Sequence, residues 1–184
     1  MMSERASLRL EDREAIRDVI NAYAHAIDRR RWDMMQHLFH DDAQFQFGPI
    51  SGDWLGFVEQ ARNVIDPCLA TQHLLGQIQF GFDGETVCHT ETYMTATHTI
   101  PAGYPSPEVF PDKGKVYSAI IAGRYVDRFE QRSGEWRIAK RTGLYDWREF
   151  REMEGVDLSE VAEEARGYHD ERDPSTPTVS RWLG

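Results

Sequence analysis

The strongest structural signal in this sequence is a predicted β-hairpin, TQHLLGQIQFGFDGETVCHTETYMTATHTI, at residues 71–100. Two runs rich in apolar and β-favouring residues, 71–82 and 85–100, flank the pair Asp83-Gly84. An Asp-Gly pair between such runs is a strong short-range sign of a tight turn between antiparallel strands. The segment therefore predicts a β-hairpin within an antiparallel sheet.

A second hairpin is predicted further along the chain. Its strands are expected at 115–129 and 135–145, joined across Arg132-Ser133-Gly134. The segment 101–114 between the two hairpins contains four prolines, so it is predicted to be a loop. The C-terminal half of the chain is therefore mostly β-structure.

Three helices are predicted before the hairpins. The first begins near Glu11 and has an apolar stripe at helical spacing, formed by Ile16, Val19, Ile20, Tyr23 and Ile27. A short second helix is predicted at 32–39, followed by a short strand at 43–47. The third helix, 54–65, is predicted to turn an apolar side inward, formed by Leu55, Val58, Ala61 and Ile65.

This order of elements predicts an α+β fold. We expect a cone-shaped α+β barrel in which three N-terminal helices pack on a strongly curved mixed or antiparallel sheet, followed by a C-terminal helical tail. The mouth of a conical pocket would lie between the first helix and the sheet. Residues 1–153 are predicted to form this domain, and residues 154–184 a helical, partly flexible tail.

The C-terminal region is predicted in less regular terms. We expect helices at 147–153 and 158–165 and a mobile polar segment at 170–177. The terminal pair Trp182-Leu183 is unusual for a free tail, so it is expected to dock on the body of the protein or on a neighbouring subunit.

Composition limits the classes of partner. The 184 residues include 31 acidic and 21 basic side chains, a formal net charge of −10, so nucleic acids and anionic membranes are not expected partners. No apolar run approaches the about 20 residues of a membrane span, and Met1–Leu10 lacks the apolar core of a signal peptide. Cys68 and Cys88 fit neither a metal site nor a disulfide framework, so a cytoplasmic location is predicted.

A histidine and an aspartate are the candidates for chemistry. His73 lies near the start of the first hairpin strand, and imidazole can both take and return a proton near neutral pH. Asp28 lies near the end of the first helix, beside its apolar stripe, where it could reach into the pocket. The alternatives are a structural histidine and a solvated carboxylate paired with Arg29, Arg30 or Arg31.

Several short motifs follow one another in an order shared with a known family. They are Ala26-Ile27-Asp28, Trp32-Asp33, Thr71-Gln72-His73-Leu74-Leu75-Gly76, Thr97-His98, Ser133-Gly134-Glu135-Trp136-Arg137-Ile138 and Trp147-Arg148-Glu149-Phe150. Over residues 12–152 the chain resembles the nuclear transport factor 2-like (cone) fold, and within it the SnoaL-like enzymes of the scytalone dehydratase type. The pairing of Asp28 with His73 is also similar to that of hexachlorocyclohexane dehydrochlorinase and bile acid dehydratase.

The resemblance implies roles for five residues. His73 would be the general base that removes a proton from carbon, and Asp28 would hold the other imidazole nitrogen and stabilise the imidazolium. His98 would assist the loss of a hydroxyl group, Tyr23 would donate to a carbonyl or leaving oxygen, and Arg141 would lie near a departing anion. The structural alternatives are a packed core histidine, a core tyrosine and a surface salt bridge, respectively.

The sequence also departs from the scytalone dehydratase pattern. Ile27 and Phe47 stand where that family has two tyrosines that activate the substrate carbonyl through water, and Tyr125 replaces an asparagine. Scytalone is therefore not the expected substrate. A small aromatic alcohol is expected instead, in a pocket lined by Phe45, Phe47, Trp54 and Tyr125.

The resemblance implies a cofactor-independent lyase of aromatic compound catabolism. It would eliminate water from an aromatic alcohol, or cleave a C–C bond and release formaldehyde from a lignin-derived diaryl compound. The alternatives are a ketosteroid isomerase-like enzyme, which relies on a carboxylate base, and a non-catalytic cone-fold module that binds a ligand or a protein. The seven histidines lack metal-site spacing and there is no Gly-rich phosphate loop, so no metal and no organic cofactor is predicted.

One strand also predicts self-association. Strand 115–129 is apolar on both faces, with Val116, Ile120 and Val126 on one and Tyr117, Ile121 and Phe129 on the other. The pocket can bury only one of these faces, so the other needs cover. A homotrimer is expected, the number three resting on the resemblance alone, and the C-terminal tail is the alternative cover.

Overall fold

The computed structural model describes residues 9–48, 50–154, 157–170 and 172–182, and its architecture is α+β, as predicted. Within these residues, three α-helices pack on one six-stranded sheet. The helices are α1 Leu10–Asp28, α2 Met35–Leu38 and α3 Trp54–Ile65. The strands are β1 Phe39–Phe47, β2 Ile50–Asp53, β3 Ala70–Asp83, β4 Val87–Ile100, β5 Tyr117–Arg132 and β6 Glu135–Glu152. Short 3₁₀ turns lie at Trp32–Met34, Glu163–Ala165 and Thr176–Trp182.

The sheet is mixed and curved. Its strand order is β2-β1-β6-β5-β4-β3, and β1 pairs with β6 in parallel while the other pairs are antiparallel. Register shifts place an extra residue in β3 between Leu75 and Ile78 and in β6 at Asp146, opposite Ala122 and Gly123, and such bulges bend the strands that carry them. At Gly123 the carbonyl of Leu144 occupies the space that a Cβ atom would need, so this bend requires glycine.

Both predicted hairpins are present; β3, β5 and β6 are longer than expected, whereas β4 begins at Val87 rather than at residue 85. The β5–β6 turn contains Ser133 and Gly134, which have φ values of 54° and 86°. Two successive residues with positive φ match the right-handed twist of paired strands, and glycine adopts that conformation without steric penalty. This turn therefore fixes the register of the two longest strands.

Helix α1 lies across the concave side of the sheet. All five residues of its predicted apolar stripe are buried, and they join a core that the inner faces of β4, β5 and β6 complete. Helix α3 begins at Trp54 because the Asp53 carboxylate accepts a hydrogen bond from the Gly56 N–H at 2.8 Å. The space enclosed between α1, α3 and the sheet is the cavity described below.

Several predicted elements differ in the structure. The predicted helix at 32–39 is a 3₁₀ turn followed by the single turn of α2, and Phe39 already belongs to β1. Strand β2 was not predicted. Leu55 does not face inward, since it is 62% exposed. Residues 147–152 continue β6 rather than forming a helix, because their backbone pairs with β5 as far as Glu152 opposite Tyr117.

The tail is less helical than predicted. Of the expected helix at 158–165, only the 3₁₀ turn Glu163–Ala165 forms. The segment expected to be mobile contains the buried Asp173, which accepts hydrogen bonds from the backbone of Tyr168 and of Ser175. Trp182 packs against the core, whereas Leu183 lies outside the described residues, as do residues 1–8 of the predicted loose start.

The tail follows α1 rather than the sheet. Arg181 pairs with Asp18 at 2.8 Å, and the guanidinium of Arg29 lies 3.9 Å from Asp173. The outer face of the sheet is therefore not covered by the described part of the tail. A domain boundary at residue 153 stays a prediction.

No helix in the described parts of the chain is long and apolar enough to cross a membrane.

Candidate active site

A cavity of about 90 Å³ lies between α1, α3 and the concave face of the sheet. Its polar lining consists of three phenols, two imidazoles and one amide: Tyr23, Tyr125, Tyr145, His73, His98 and Gln60. The rest of the lining is apolar, and among the described residues none of Asp, Glu, Lys or Arg lines it. The cavity reaches the surface near Gln60 and Tyr145, whose side chains are exposed.

The structure brings Asp28 and His73 together. Asp28 is the last residue of α1, and His73 lies on the inner face of β3. The Nδ1 atom of His73 is 2.7 Å from Asp28 Oδ1, and the backbone N–H of His73 donates to Asp28 Oδ2, also at 2.7 Å. Both carboxylate oxygens are therefore used by the same residue, which fixes the orientation of the imidazole.

Asp28 is held in its ionised form. Burial raises the pKa of Asp28, but the hydrogen bonds and the charge of His73 outweigh that effect, so the pKa lies below the usual carboxyl value. An ionised Asp28 can only accept, so it holds the proton of a neutral His73 on Nδ1 and leaves Nε2 for the cavity. This tautomer is the one that a general base needs.

The three arginines after Asp28 do not pair with it. Arg29 lies near Asp173, Arg31 pairs with Asp33 at 3.3 Å, and Arg30 donates to two backbone carbonyls. The alternative of a solvated Asp28 paired with one of these arginines is therefore wrong.

His98 lies beside His73 in the cavity wall. Their ring centroids are 5.5 Å apart and the rings are nearly perpendicular. Burial, together with the nearby His73, lowers the pKa of His98 to about 3, so its imidazole is neutral at neutral pH. Its buried Nδ1 atom has no hydrogen-bond partner within the described protein atoms. A neutral His98 can donate or accept a hydrogen bond but is not a cationic acid.

Arg141 is neither at the surface nor in the cavity lining. It is fully buried and forms two hydrogen bonds to Asp127, at 2.8 and 2.7 Å. Burial lowers the pKa of Arg141, but Asp127 outweighs this and raises it above the usual value. The alternative of a surface salt bridge is therefore wrong, and the role near a departing anion stays a prediction that would require Arg141 to act through other residues.

Two tyrosines of the cavity lining, Tyr23 and Tyr125, lie against Arg141. The guanidinium carbon of Arg141 lies 4.0 Å from the ring centre of Tyr23 and 4.4 Å from that of Tyr125. Burial raises the pKa of Tyr23 to about 12 against the opposing effect of Arg141, and burial also raises the pKa of Tyr125. Both phenols therefore stay protonated at neutral pH and can donate hydrogen bonds.

The aromatic residues expected in the pocket divide into two pairs. Phe47 and Tyr125 line the cavity. Phe45 does not, because it is buried in the core against Phe57, with ring centroids 3.4 Å apart. Trp54 does not either, since it stacks on Phe39 at the start of α3, away from the cavity.

Two polar residues of the lining were not predicted. Tyr145 follows Arg141 and Gly143 at alternate positions of β6. The period-2 pattern therefore indicated that its side chain lies on the inner face of the sheet. Gln60 lies on the inward side of α3, close to Phe57 and Ala61, where a polar residue within an apolar stripe was the available signal. Both residues sit where the cavity meets the surface.

The sequence matches the family model described as a SnoaL-like domain over residues 8–142. The chain belongs to the SnoaL-like domain family. This confirms the resemblance found in the motifs, and the solved structures that are similar show the same cone fold.

Three of these structures illustrate the likeness. A hexachlorocyclohexane dehydrochlorinase, LinA type 3 from Novosphingobium barchaimii, is 20% identical, with a TM-score of 0.65 over 80% of this chain and 94% of its own. A candidate scytalone dehydratase from Novosphingobium aromaticivorans is 17% identical, with a TM-score of 0.67 over 86% and 99%. Rv3472 from Mycobacterium tuberculosis, of unknown function, is 21% identical, with a TM-score of 0.58 over 97% and 89%. Identities this low establish the fold alone.

A search of curated proteins found no significant match.

Proposed function

We propose that this protein is a cofactor-independent lyase in which His73 is the general base and Asp28 orients it. The observation that carries the proposal is the 2.7 Å contact between Asp28 and His73 Nδ1, at the wall of an otherwise uncharged cavity. The free Nε2 lone pair and a bound carbon acid would meet inside a water-poor space, where a neutral imidazole is an effective base. Base catalysis of this kind contributes a factor of about 10²–10⁴.

The proposed reaction is the elimination of water from a small aromatic alcohol. The proton on a carbon next to a carbonyl or aryl group moves to His73 Nε2, and the electron pair of that C–H bond forms the new double bond. The C–O bond breaks, and the imidazolium returns its proton to the departing oxygen. Water leaves, His73 is neutral again, and Asp28 stabilises the imidazolium in between.

Hydrogen-bond donors would act from the other side of the cavity. His73 and His98 lie on β3 and β4, whereas Tyr125 and Tyr145 lie on β5 and β6 and Tyr23 on α1. A substrate held between these groups would have its carbon acid near His73 and an oxygen near a phenol. Tyr23 is the preferred donor in this proposal, because the cation of Arg141 lies against its ring and would stabilise a phenol that shares its proton.

The cavity favours a small, neutral substrate. An engineered cavity of about 150 Å³ binds benzene, whereas this one measures about 90 Å³, so a single aromatic ring would fill it and extend into its mouth. A diaryl compound would therefore keep most of its bulk outside, beside Tyr145 and Gln60, so elimination from a single-ring alcohol is favoured over C–C cleavage of a diaryl substrate. A charged group that entered the cavity would lose its hydration and would find no counter-charge in the lining.

The lining also bears on the alternatives. A ketosteroid isomerase-like reaction would need a carboxylate as base, but Asp28 is turned toward His73 and is not part of the cavity surface. A purely structural or binding role would leave the oriented imidazole without a use. Independence from metals and cofactors belongs to the proposal, and activity that a chelator abolishes and zinc or iron restores would contradict it.

We also propose that the protein is cytoplasmic, acts in aromatic compound catabolism and assembles as a homotrimer through the outer face of its sheet. The support for assembly is a row of exposed apolar residues on that face, Leu74, Tyr93, Val126 and Leu144. The described tail packs on α1 and leaves this row uncovered.

An ultraviolet assay tests the reaction. The aldol adduct of benzaldehyde and acetone is a neutral single-ring alcohol with an acidic C–H bond, and its dehydration gives a conjugated enone with a new absorption band. We expect wild-type protein to form the enone, and Asp28→Asn and His73→Ala to lose at least about 10²-fold in rate. Tyr93→Phe, on the outer face of the sheet, is the matched control. Equal rates in His73→Ala and wild type would contradict the proposal.

A further inference from the structure

Arg30 has a backbone conformation that arginine rarely adopts. It follows the last residue of α1 by two positions, and its φ angle of 54° lies in the left-handed region that favours glycine. Its backbone N–H donates to the carbonyl of Ile27 at 3.3 Å, which closes the helix. An arginine at this position therefore indicates that its side chain has a use.

The side chain of Arg30 joins two segments that are distant in sequence. Its Nη2 atom donates to the carbonyl of Cys68 at 2.7 Å and to that of Ile65 at 3.1 Å. Ile65 is the last residue of α3, where helix carbonyls lack partners within the helix. Cys68 lies two residues before β3, the strand that carries His73. The side chain of Arg30 is only 10% exposed, so these bonds are shielded from water.

We infer that Arg30 is a positioning residue for the Asp28–His73 pair. Its backbone is fixed to the end of α1, which carries Asp28, and its guanidinium is fixed to the segment that leads into the strand of His73. The two halves of the dyad are thereby clamped to each other by a residue that contacts neither the cavity nor the imidazole. The catalytic part of this inference rests on the proposed function; the geometric part does not.

The neighbouring arginines provide a matched control. Arg31 is almost as buried, with 14% of its side chain exposed, but its guanidinium pairs with Asp33 within the same turn. Replacing Arg31 with Gln removes the same charge at the adjacent position without releasing Ile65 or Cys68. A difference between the Arg30 and Arg31 variants therefore reflects the loss of the hydrogen bonds to Ile65 and Cys68, and not the loss of a positive charge.

The choice of replacement at Arg30 separates the backbone from the side chain. Glycine suits the left-handed conformation, so Arg30→Gly keeps the helix end and deletes the side chain, with its bonds to the two carbonyls and its 3.9 Å ion pair with Asp66. Arg30→Lys keeps the charge, but its ammonium ends one bond short of the Nη2 position on a more flexible stem, so it holds the two carbonyls less firmly. If the sole purpose of residue 30 were to end the helix, the glycine variant would match wild type.

The test is an NMR measurement on protein with ¹⁵N-labelled histidine, without any ligand. The Nδ1–H proton of His73 is protected from exchange with water as long as Asp28 holds it. We expect its signal in wild type and Arg31→Gln, and its loss or broadening in Arg30→Gly and Arg30→Gln. In the enone assay the same two variants should lose kcat by on the order of 10- to 100-fold with little change in KM, and Arg30→Lys should lie between them and wild type.

Each outcome has a distinct meaning. An intact Nδ1–H signal in folded Arg30→Gly overturns the inference. Loss of the signal in Arg31→Gln as well would attribute the effect to charge and also overturn it. If wild type forms no enone, the proposed function fails, but the NMR comparison still decides whether Arg30 positions the dyad. Circular dichroism establishes that each variant is folded, and Arg30→Gly keeps the test available if Arg30→Gln does not fold.

Discussion

His98 makes stability depend on pH at the scale of a single residue. Burial lowers the pKa of His98 to about 3, whereas in the unfolded chain it lies near 6.5. Between these values the unfolded state binds one more proton than the folded state, so the free energy of unfolding falls as the pH is lowered. The contribution at the steepest point is about 1.4 kcal/mol per pH unit.

Replacing His98 with Gln should remove this part of the pH dependence. We expect the free energy of unfolding of His98→Gln to vary less steeply than that of wild type below pH 6.5, measured by urea denaturation at a series of pH values. The comparison uses slopes, because the substitution also alters packing. Parallel curves for the two proteins would show that His98 does not titrate as its burial requires.

The buried pair of Asp127 and Arg141 gives a second prediction at this scale. Asp127→Asn leaves a fully buried guanidinium without its counter-charge, which destabilises a protein by about 3–5 kcal/mol. The double variant Asp127→Leu with Arg141→Met removes both charges and should be less destabilised than the single one. Chemical denaturation measures both. A single variant as stable as wild type would show that the pair contributes nothing to folding.

At the scale of elements, Gly143 in β6 controls the position of a pocket residue. A Cβ atom at Gly143 would coincide with the ring of Phe47, which lines the cavity. Gly143→Ala should therefore displace Phe47, lower stability by about 1–3 kcal/mol and weaken turnover of the aldol adduct.

A second strand glycine serves as the control for this prediction. At Gly81 in β3 a Cβ atom would meet only the carbonyl of His89 at 3.8 Å, an ordinary contact. Gly81→Ala should leave stability and turnover near those of wild type. Equal effects of the two substitutions in thermal unfolding would mean that the contact with Phe47 is not what requires glycine at residue 143.

The elements themselves were predictable where a local pattern decides them. The turn residues Asp83-Gly84 and Ser133-Gly134 fixed both hairpins, and the stripe on α1 identified a helix whose apolar face is buried. The prediction failed at 147–152, because these mostly exposed residues extend β6 through backbone pairing with β5, and a pattern of side chains does not report such pairing. Strand β2 was not predicted for the same reason, because it is defined by its backbone pairing with β1.

The candidate site was predictable only in part. The partners Asp28 and His73 were named from family motifs, and their side chains meet in the structure. The burial of Arg141 behind Tyr23 and of Phe45 in the core, and the packing of Trp54 against Phe39, depend on how the sheet curves, which one-dimensional periodicity does not contain. The clamp at Arg30 was missed because its partners are backbone carbonyls, which have no sequence signature.

At the scale of the whole molecule, the outer face of the sheet predicts assembly. Ile120 on β5 points to this face. Side chains alternate along a strand, and the odd-numbered Tyr117, Ile121 and Phe129 are buried on the opposite face. We expect light scattering to give three times the chain mass of 21.3 kDa. Ile120→Asp should dissociate the assembly without unfolding the chain, whereas Leu158→Asp, in the tail, should not. A folded full-length protein with the monomer mass would contradict the prediction.

The central claim is that His73 removes a proton from carbon, and hydrogen exchange measures this step without any leaving group. Benzylacetone has the carbon skeleton of the aldol adduct but no hydroxyl group, so its only expected reaction is exchange of the protons beside the carbonyl. In D₂O, followed by ¹H NMR, wild-type protein should accelerate this exchange, and His73→Ala should reduce the acceleration by about 10²–10⁴. Exchange at the buffer rate with wild type, or at the wild-type rate with His73→Ala, would contradict the account.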